Sequence, residues 1–277
     1  MSVETISNMR EMLVPLDGRE ASLRAVPAAG RIASRLGLVL RLFGVSDDPE
    51  ATEEWLRSQA RRLLPDTDVA TSAATGDPAQ VIVSEAGPDT LVGMATAATL
   101  RPHQGHVGSV AEAVVRGVHR PVLLIGPHVD LDPGKPIDRI VIPVDGSSLS
   151  EQALDVGADL AKTLGVAVWV VSVISPKTEA TAEHRLGAAP FTRESAYVRG
   201  LSEDLARRHG VRGEFEVLHI KDPAKAILDF TGQDGAVVMS THGRSGLSRL
   251  VAGSVAHAVV ARSSRPVVVV RPSEEAR

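Results

Sequence analysis

Three stretches of this chain occur twice in the same order, and no other feature limits its possible folds as much. Met12-Leu13-Val14-Pro15-Leu16-Asp17-Gly18 returns 128 residues later as Ile140-Val141-Ile142-Pro143-Val144-Asp145-Gly146. Asp77-Pro78-Ala79-Gln80-Val81-Ile82 returns 145 residues later as Asp222-Pro223-Ala224-Lys225-Ala226-Ile227. Arg120-Pro121-Val122-Leu123-Leu124 returns at that same spacing of 145 as Arg265-Pro266-Val267-Val268-Val269. Two copies of one unit of ordinary domain size therefore account for the 277 residues. The change in spacing gives the second copy 17 extra residues, which fall between its second and third strands.

Within each copy, short apolar runs alternate with longer stretches of helical period. Apolar residues make up 43% of the chain and aromatic ones only 3%, so the core must be aliphatic. Unbroken Val, Leu and Ile runs of this kind suit parallel strands covered on both faces. The expected strands are 12–16, 39–45, 69–74, 90–95 and 122–125 in the first copy, and 139–144, 167–174, 214–219, 236–240 and 267–271 in the second. Helix starts are signalled by Ser148 with Glu151 three residues on, a capping box, by Pro223 in a first turn, and by Gly253-Ser254. The expected class is α/β: two tandem Rossmann-like domains, each a five-stranded parallel sheet with helices on both faces. They span residues 9–128 and 137–273, and residues 128–136, rich in proline and glycine, read as the linker. The last strand of each copy is short, wholly apolar and at a sheet edge, so the two edges are expected to pair with each other.

The net charge of −4 offers no footprint for nucleic acid or an anionic membrane. Cysteine is absent, which removes disulfides, thiol catalysis and thiolate metal sites. No apolar run approaches the roughly 20 residues of a membrane helix, and residues 1–10 lack the apolar region of a signal peptide. The reading is a cytoplasmic protein.

Ligands of doubly wound sheets bind outside the carboxyl ends of the strands, where strand order reverses. In the second copy that selects the turn Asp145-Gly146-Ser147 and the long loop from Ser240 to Ser254. Gly243 and Gly246 allow positive φ and close backbone approach. Arg244 adds charge, and Gly253-Ser254 places amides and a hydroxyl at the positive end of a helix. Together these parts suit a phosphate-bearing ligand.

The run Ser240-Thr241-His242-Gly243-Arg244-Ser245-Gly246, then Gly253-Ser254-Val255-Ala256 and Arg265-Pro266-Val267-Val268-Val269-Val270, resembles the C-terminal signature of the universal stress protein family. Val141-Ile142-Pro143-Val144-Asp145-Gly146-Ser147 resembles its first strand and turn, and the resemblance covers nearly the whole chain as a tandem pair. It implies a pseudo-dimer of five-stranded domains and, as in some members, ATP bound with Mg²⁺ or Mn²⁺. The implied sites are Asp145 at the ribose or adenine, Pro143 and Val173 lining the base, and Gly243, Gly253, Ser254 and Val255 at the phosphates. Ser240 stands where nucleotide-binding members carry their first glycine. It is a small residue that still restricts φ, which bears on the tightness of binding more than on its existence. Asp145 also has a plainer reading, as an acceptor for free amides at a helix start.

The first copy departs from this pattern. Ala95 and Ala98 stand where the second has Ser240 and Gly243, although Asp17 and Gly108-Ser109 are retained. His103 and His106 lie three apart in a polar loop, and with no third ligand nearby they read as solvated. Three functions compete. The first is a cytoplasmic stress-response sensor or regulator that binds an adenine nucleotide in its second domain, as a homodimer of tandem chains. The second is a nucleotide-free scaffold. The third is a slow ATP-hydrolysing enzyme, for which there is neither a Walker lysine loop nor a kinase signature.

Overall fold

The computed structural model describes residues 5–96, 108–130, 137–174, 190–241 and 254–271. The first half runs β1 (Glu11–Leu16), α1 (Glu20–Leu23), α2 (Ala25–Leu36), β2 (Val39–Val45), α3 (Pro49–Leu63), β3 (Val69–Ala74), α4 (Pro78–Glu85), β4 (Thr90–Ala95), α5 (Ser109–Gly117) and β5 (Val122–Ile125). The second runs β6 (Arg139–Val144), α6 (Ser148–Glu151), α7 (Ala153–Leu164), β7 (Ala167–Ile174), α8 (Pro190–His209), β8 (Gly213–His219), α9 (Pro223–Thr231), β9 (Gly235–Ser240), α10 (Ser254–Arg262) and β10 (Val267–Val270). All ten expected strands form, four of them shifted by a single residue at one end. The Asp-Pro-Ala blocks explain themselves: Asp77 and Asp222 accept hydrogen bonds from the backbone of Gln80 (3.0 Å) and Lys225 (3.2 Å), capping helices whose first turns hold Pro78 and Pro223.

The strands form one sheet in the order β3-β2-β1-β4-β5-β10-β9-β6-β7-β8. Pairing is parallel within each half and antiparallel at the junction, where Leu124 faces Val267, Leu123 faces Val268 and Val122 faces Val269. The two edge strands thus close on each other, as their composition led us to expect. Successive strand residues feed two cores. Met12, Val14, Ile140 and Ile142 join the core beneath α2, α3, α7 and α8, whereas Leu13, Val92, Val237 and Met239 join the core beneath α4, α5, α9 and α10. Burial on both faces is why the inner strands are almost uniformly apolar, whereas the edge strands β3 and β8 carry polar residues and are only partly buried.

Other contacts tie the halves together. A 3-10 turn at Ile6–Asn8 lies against α7, and the backbone N–H of Ser7 donates to Asp159 at 2.6 Å. The segment read as a linker is docked where it begins: Val129 is buried and the N–H of Asp130 donates to Ser264 O at 2.8 Å. The remainder, residues 131–136, lies outside the described residues.

The two copies have also diverged in step. In the first, Arg41 on β2 pairs with Glu11 (3.0 Å) and Glu85 (2.8 Å). The matching positions in the second are Trp169, Arg139 and Phe230, and there Trp169 and Phe230 pack edge to face with centroids 5.3 Å apart. On the far side of the second half, Asp155 of α7 holds Arg208 and His209 at the end of α8. Burial works to raise the Asp155 pKa, but hydrogen bonding with His209 and Arg208 outweighs it and holds the carboxyl below its ordinary value. A carboxylate depressed in the folded state stabilises the protein above its unfolded pKa, and that stabilisation is lost as pH falls through the folded value. Acidification from about pH 5 to about pH 2 is therefore expected to lower the melting temperature more in the parent protein than in Asp155→Asn. Parallel acid profiles in thermal scans would count against this role.

Candidate functional site

β6 is the middle strand of its half, flanked by β7 and β9. Chain order reverses across it, which opens a crevice beyond the strand ends. The ladders carry the mark of that reversal. β6 pairs with β7 over six residues, from Arg139 opposite Ala167 to Val144 opposite Ser172. With β9 it pairs over only three, ending at Val141 opposite Val237. Pro143 falls in the unpaired stretch and, lacking an N–H, could not extend the ladder. The first half repeats the arrangement: β1 leaves β4 after Leu13 opposite Val92, ahead of Pro15.

Asp145 follows β6 directly, Val173 is the penultimate residue of β7, Ser240 ends β9, and Ser254 opens α10 with Val255 next to it. Because these strands are parallel and α10 runs back along them, all five residues come to one edge of the sheet. Val173 and Val255 pack against the same core, so they share a face. Ser240 is buried, 6% exposed, and gives the strand end little bulk. The first amides of the nine-residue α10 lack partners within the helix and sit at the positive end of its dipole. Gly243, Arg244, Gly246 and Gly253, assigned to the site from the sequence, lie outside the described residues, as do His103, His106 and His242.

The turn after β6 is built by local hydrogen bonds. Asp145 Oδ1 accepts from the backbone N–H of Ser147 at 3.1 Å and from the Ser147 hydroxyl, while the Asp145 N–H donates to Ser150 Oγ at 3.2 Å. Gly146 holds φ +79°, a conformation that L side chains rarely adopt. Asp17, Gly18 (φ +78°) and Ser22 repeat the turn in the first half: the Asp17 N–H donates to Ser22 Oγ at 3.3 Å, and Asp17 Oδ1 accepts from the Arg19 N–H at 3.0 Å. Asp145 thus fills the plainer role of helix-start acceptor, which also fixes the direction of its carboxylate.

One expectation is corrected here. The capping residue of α6 is Ser147, whose Oγ accepts from the Ser150 N–H at 3.2 Å, rather than Ser148. The capping box fails because a cap at Ser147 puts Ser150, not Glu151, at the third helical position; Glu151 instead accepts a 2.7 Å hydrogen bond from the hydroxyl of Tyr197 on α8. One turn earlier on α8, Glu194 accepts from the Ser172 hydroxyl at the end of β7. These contacts were missed in the sequence, where two adjacent serines fit the cap spacing equally well and nothing ties Tyr197 to a residue 46 positions away.

Among the described residues no group of three or more His, Asp or Glu could hold a metal ion, and no helix is long and apolar enough to cross a membrane.

The strand order defines a doubled, doubly wound α/β protein. Residues 136–271 match the family model described as the universal stress protein family. A universal stress protein of Methanocaldococcus jannaschii is 33% identical over 144 residues, which is 50% of this chain and 84% of that protein. One of Mycobacterium tuberculosis is 30% identical over 173 residues, covering 61% of this chain and 58% of the relative. The crystal structure of a universal stress protein from Archaeoglobus fulgidus covers 98% of this chain and 99% of its own, with a TM-score of 0.67 at 19% identity, and so shares the fold. The chain belongs to the universal stress protein family.

Proposed function

We propose that this protein binds ATP, or a related adenine nucleotide, in its second half, within a unit spanning residues 137–273, and that occupancy sets its shape or its partner in a cytoplasmic stress response. The observation that carries the reading is the early parting of β6 and β9, which leaves a crevice bordered by Asp145, Val173, Ser240 and the start of α10. The donor set fits a nucleotide. Asp145 presents a fixed acceptor suited to ribose hydroxyls or an adenine amine, and Pro143 and Val173 offer apolar surface for a base. Ser254, Val255 and their amides suit phosphates, as do Gly243, Arg244, Gly246 and Gly253 by sequence. The nucleotide would bring phosphate charge, together with Mg²⁺ or Mn²⁺, to the positive end of α10. A homodimer of tandem chains, each with its first unit at residues 9–128, belongs to the same proposal.

Buried Ser240 favours a second reading, a nucleotide-free scaffold, because a serine restricts φ where family members that bind nucleotide have glycine. Denaturing freshly purified protein and identifying what it releases separates the two. Release of about one adenine nucleotide per chain is expected, and an empty chain that takes up none on incubation with ATP and Mg²⁺ would leave the scaffold.

A further inference from the structure

The second turn of α8 is hydrogen-bonded to its neighbours: Tyr197 donates to Glu151 at the end of α6, and Ser172 of β7 donates to Glu194. α6 is in turn continuous with the Asp145 turn through Ser147 and Ser150. A path therefore runs from the Tyr197 hydroxyl through the Glu151 side chain and the α6 backbone to Ser147 and the Asp145 carboxylate.

The first half has the same helix and strand without this connection. The positions that match Tyr197, Ser172 and Glu151 are Thr52, Gly44 and Leu23. There the Thr52 methyl packs over Gly44, and the Thr52 hydroxyl pairs with Ser46 at 2.6 Å. Among the described residues no hydrogen bond links α3 to the Asp17 turn. The polar tie is thus confined to the half whose loop keeps the glycines. We propose that Tyr197 is a positioning residue of the second-half site, holding Glu151 and with it the α6 turn so that Asp145 faces the ligand, and that α8 thereby senses occupancy.

The proposal rests on the nucleotide reading above for its ligand, and on the hydrogen-bond path for its mechanism. Burial, followed by the hydrogen bond to Glu151, raises the Tyr197 pKa, with smaller contributions from Glu194 and Asp145, so the phenol lies within electrostatic reach of the turn. Tyr197 is also the only tyrosine in the chain, so one ring resonance reports on this position.

The test uses the full chain carrying ¹³C-labelled tyrosine, with ATP and Mg²⁺ as the probe. Adding ATP should shift the tyrosine resonance, and Tyr197→Phe should weaken binding by about tenfold, the loss of one hydrogen bond to a charged acceptor. Glu151→Gln keeps an acceptor oxygen but loses its charge, and should weaken binding less than Tyr197→Phe does. Asp155→Asn loosens the far end of α8 and should leave affinity unchanged. If it weakens binding as much as Tyr197→Phe, or if Tyr197→Phe binds normally, Tyr197 has no positioning role even though nucleotide binding stands. Without nucleotide, Asp145→Asn should still shift the tyrosine resonance. That shift in a chain that binds no ATP would uphold the path and sink the nucleotide reading; an unmoved resonance would sink the path.

Discussion

Titrating the full chain with ATP and Mg²⁺ is expected to give one site per chain. Holding a polyphosphate without a P-loop lysine depends on backbone amides converging on the ligand, so the loop must accept unusual φ values and keep side chains out of the way. In the sequence the second half meets that need with Gly243, Gly246 and Gly253, whereas the first has Ala95 and Ala98 opposite Ser240 and Gly243. A non-glycine residue forced into a left-handed conformation loses about 1–2 kcal/mol. Each 1.4 kcal/mol is tenfold in affinity, so the one such difference, Ala98 against Gly243, separates the halves by roughly tenfold. Gly243→Val should abolish binding, and Ser109→Ala at the start of α5 should change it little. Calorimetry that counts two equivalent sites, or a Gly243→Val chain that binds as before, would show that the loops have been assigned wrongly.

The second large effect is expected at the junction of the halves. Leu124 of β5 is buried opposite Val267 of β10, in the core beneath α4, α5, α9 and α10. Leu124→Ala removes buried methyl groups from a site held rigidly by two ladders and should cost about 2–5 kcal/mol. Leu124→Asp adds the penalty of an unpaired buried carboxylate and should destabilise further, separating the unfolding of the halves into two transitions. Denaturant unfolding followed by fluorescence in two single-tryptophan versions of the chain, one keeping Trp55 in the first half and one keeping Trp169 in the second, reads each half separately. A Leu124→Asp chain with the parent's single midpoint would mean that the β5–β10 ladder is not what joins the halves.

Much of this architecture was open to reading because the repeat supplies every signal twice. Strand positions followed from apolar runs, and the pairing of the last strands followed from two short apolar edges. Turn chemistry was legible where residue type dictates it, as at Pro223 and Gly146. It was not legible at Ser147 and Ser148, where spacing alone cannot choose between adjacent hydroxyls. Contacts made through space were also beyond reach. Neither the replacement of the Arg41 ion pairs by Trp169 and Phe230 nor the bond from Tyr197 to Glu151 follows from any local pattern, since each joins residues brought together only by the fold. The strand ends and helix starts follow from topology, but the bonds of α8 to α6 and β7 were invisible because the 17 extra residues precede that helix and the helical period fades there.

The antiparallel meeting of β5 and β10 reverses the strand direction of one half relative to the other, so the carboxyl ends of the two sets of strands lie on opposite rims of a single sheet. Two separate identical subunits related by a twofold axis must carry every substitution twice. Once both copies sit in one chain, each rim can change alone. The rim with Asp17, Ala95 and Gly108 is then free to differ from the rim with Asp145, Ser240 and Ser254, and the molecule has a head and a tail. A particle with distinct ends can be gripped at one while it responds at the other, which a symmetric pair of identical rims cannot do.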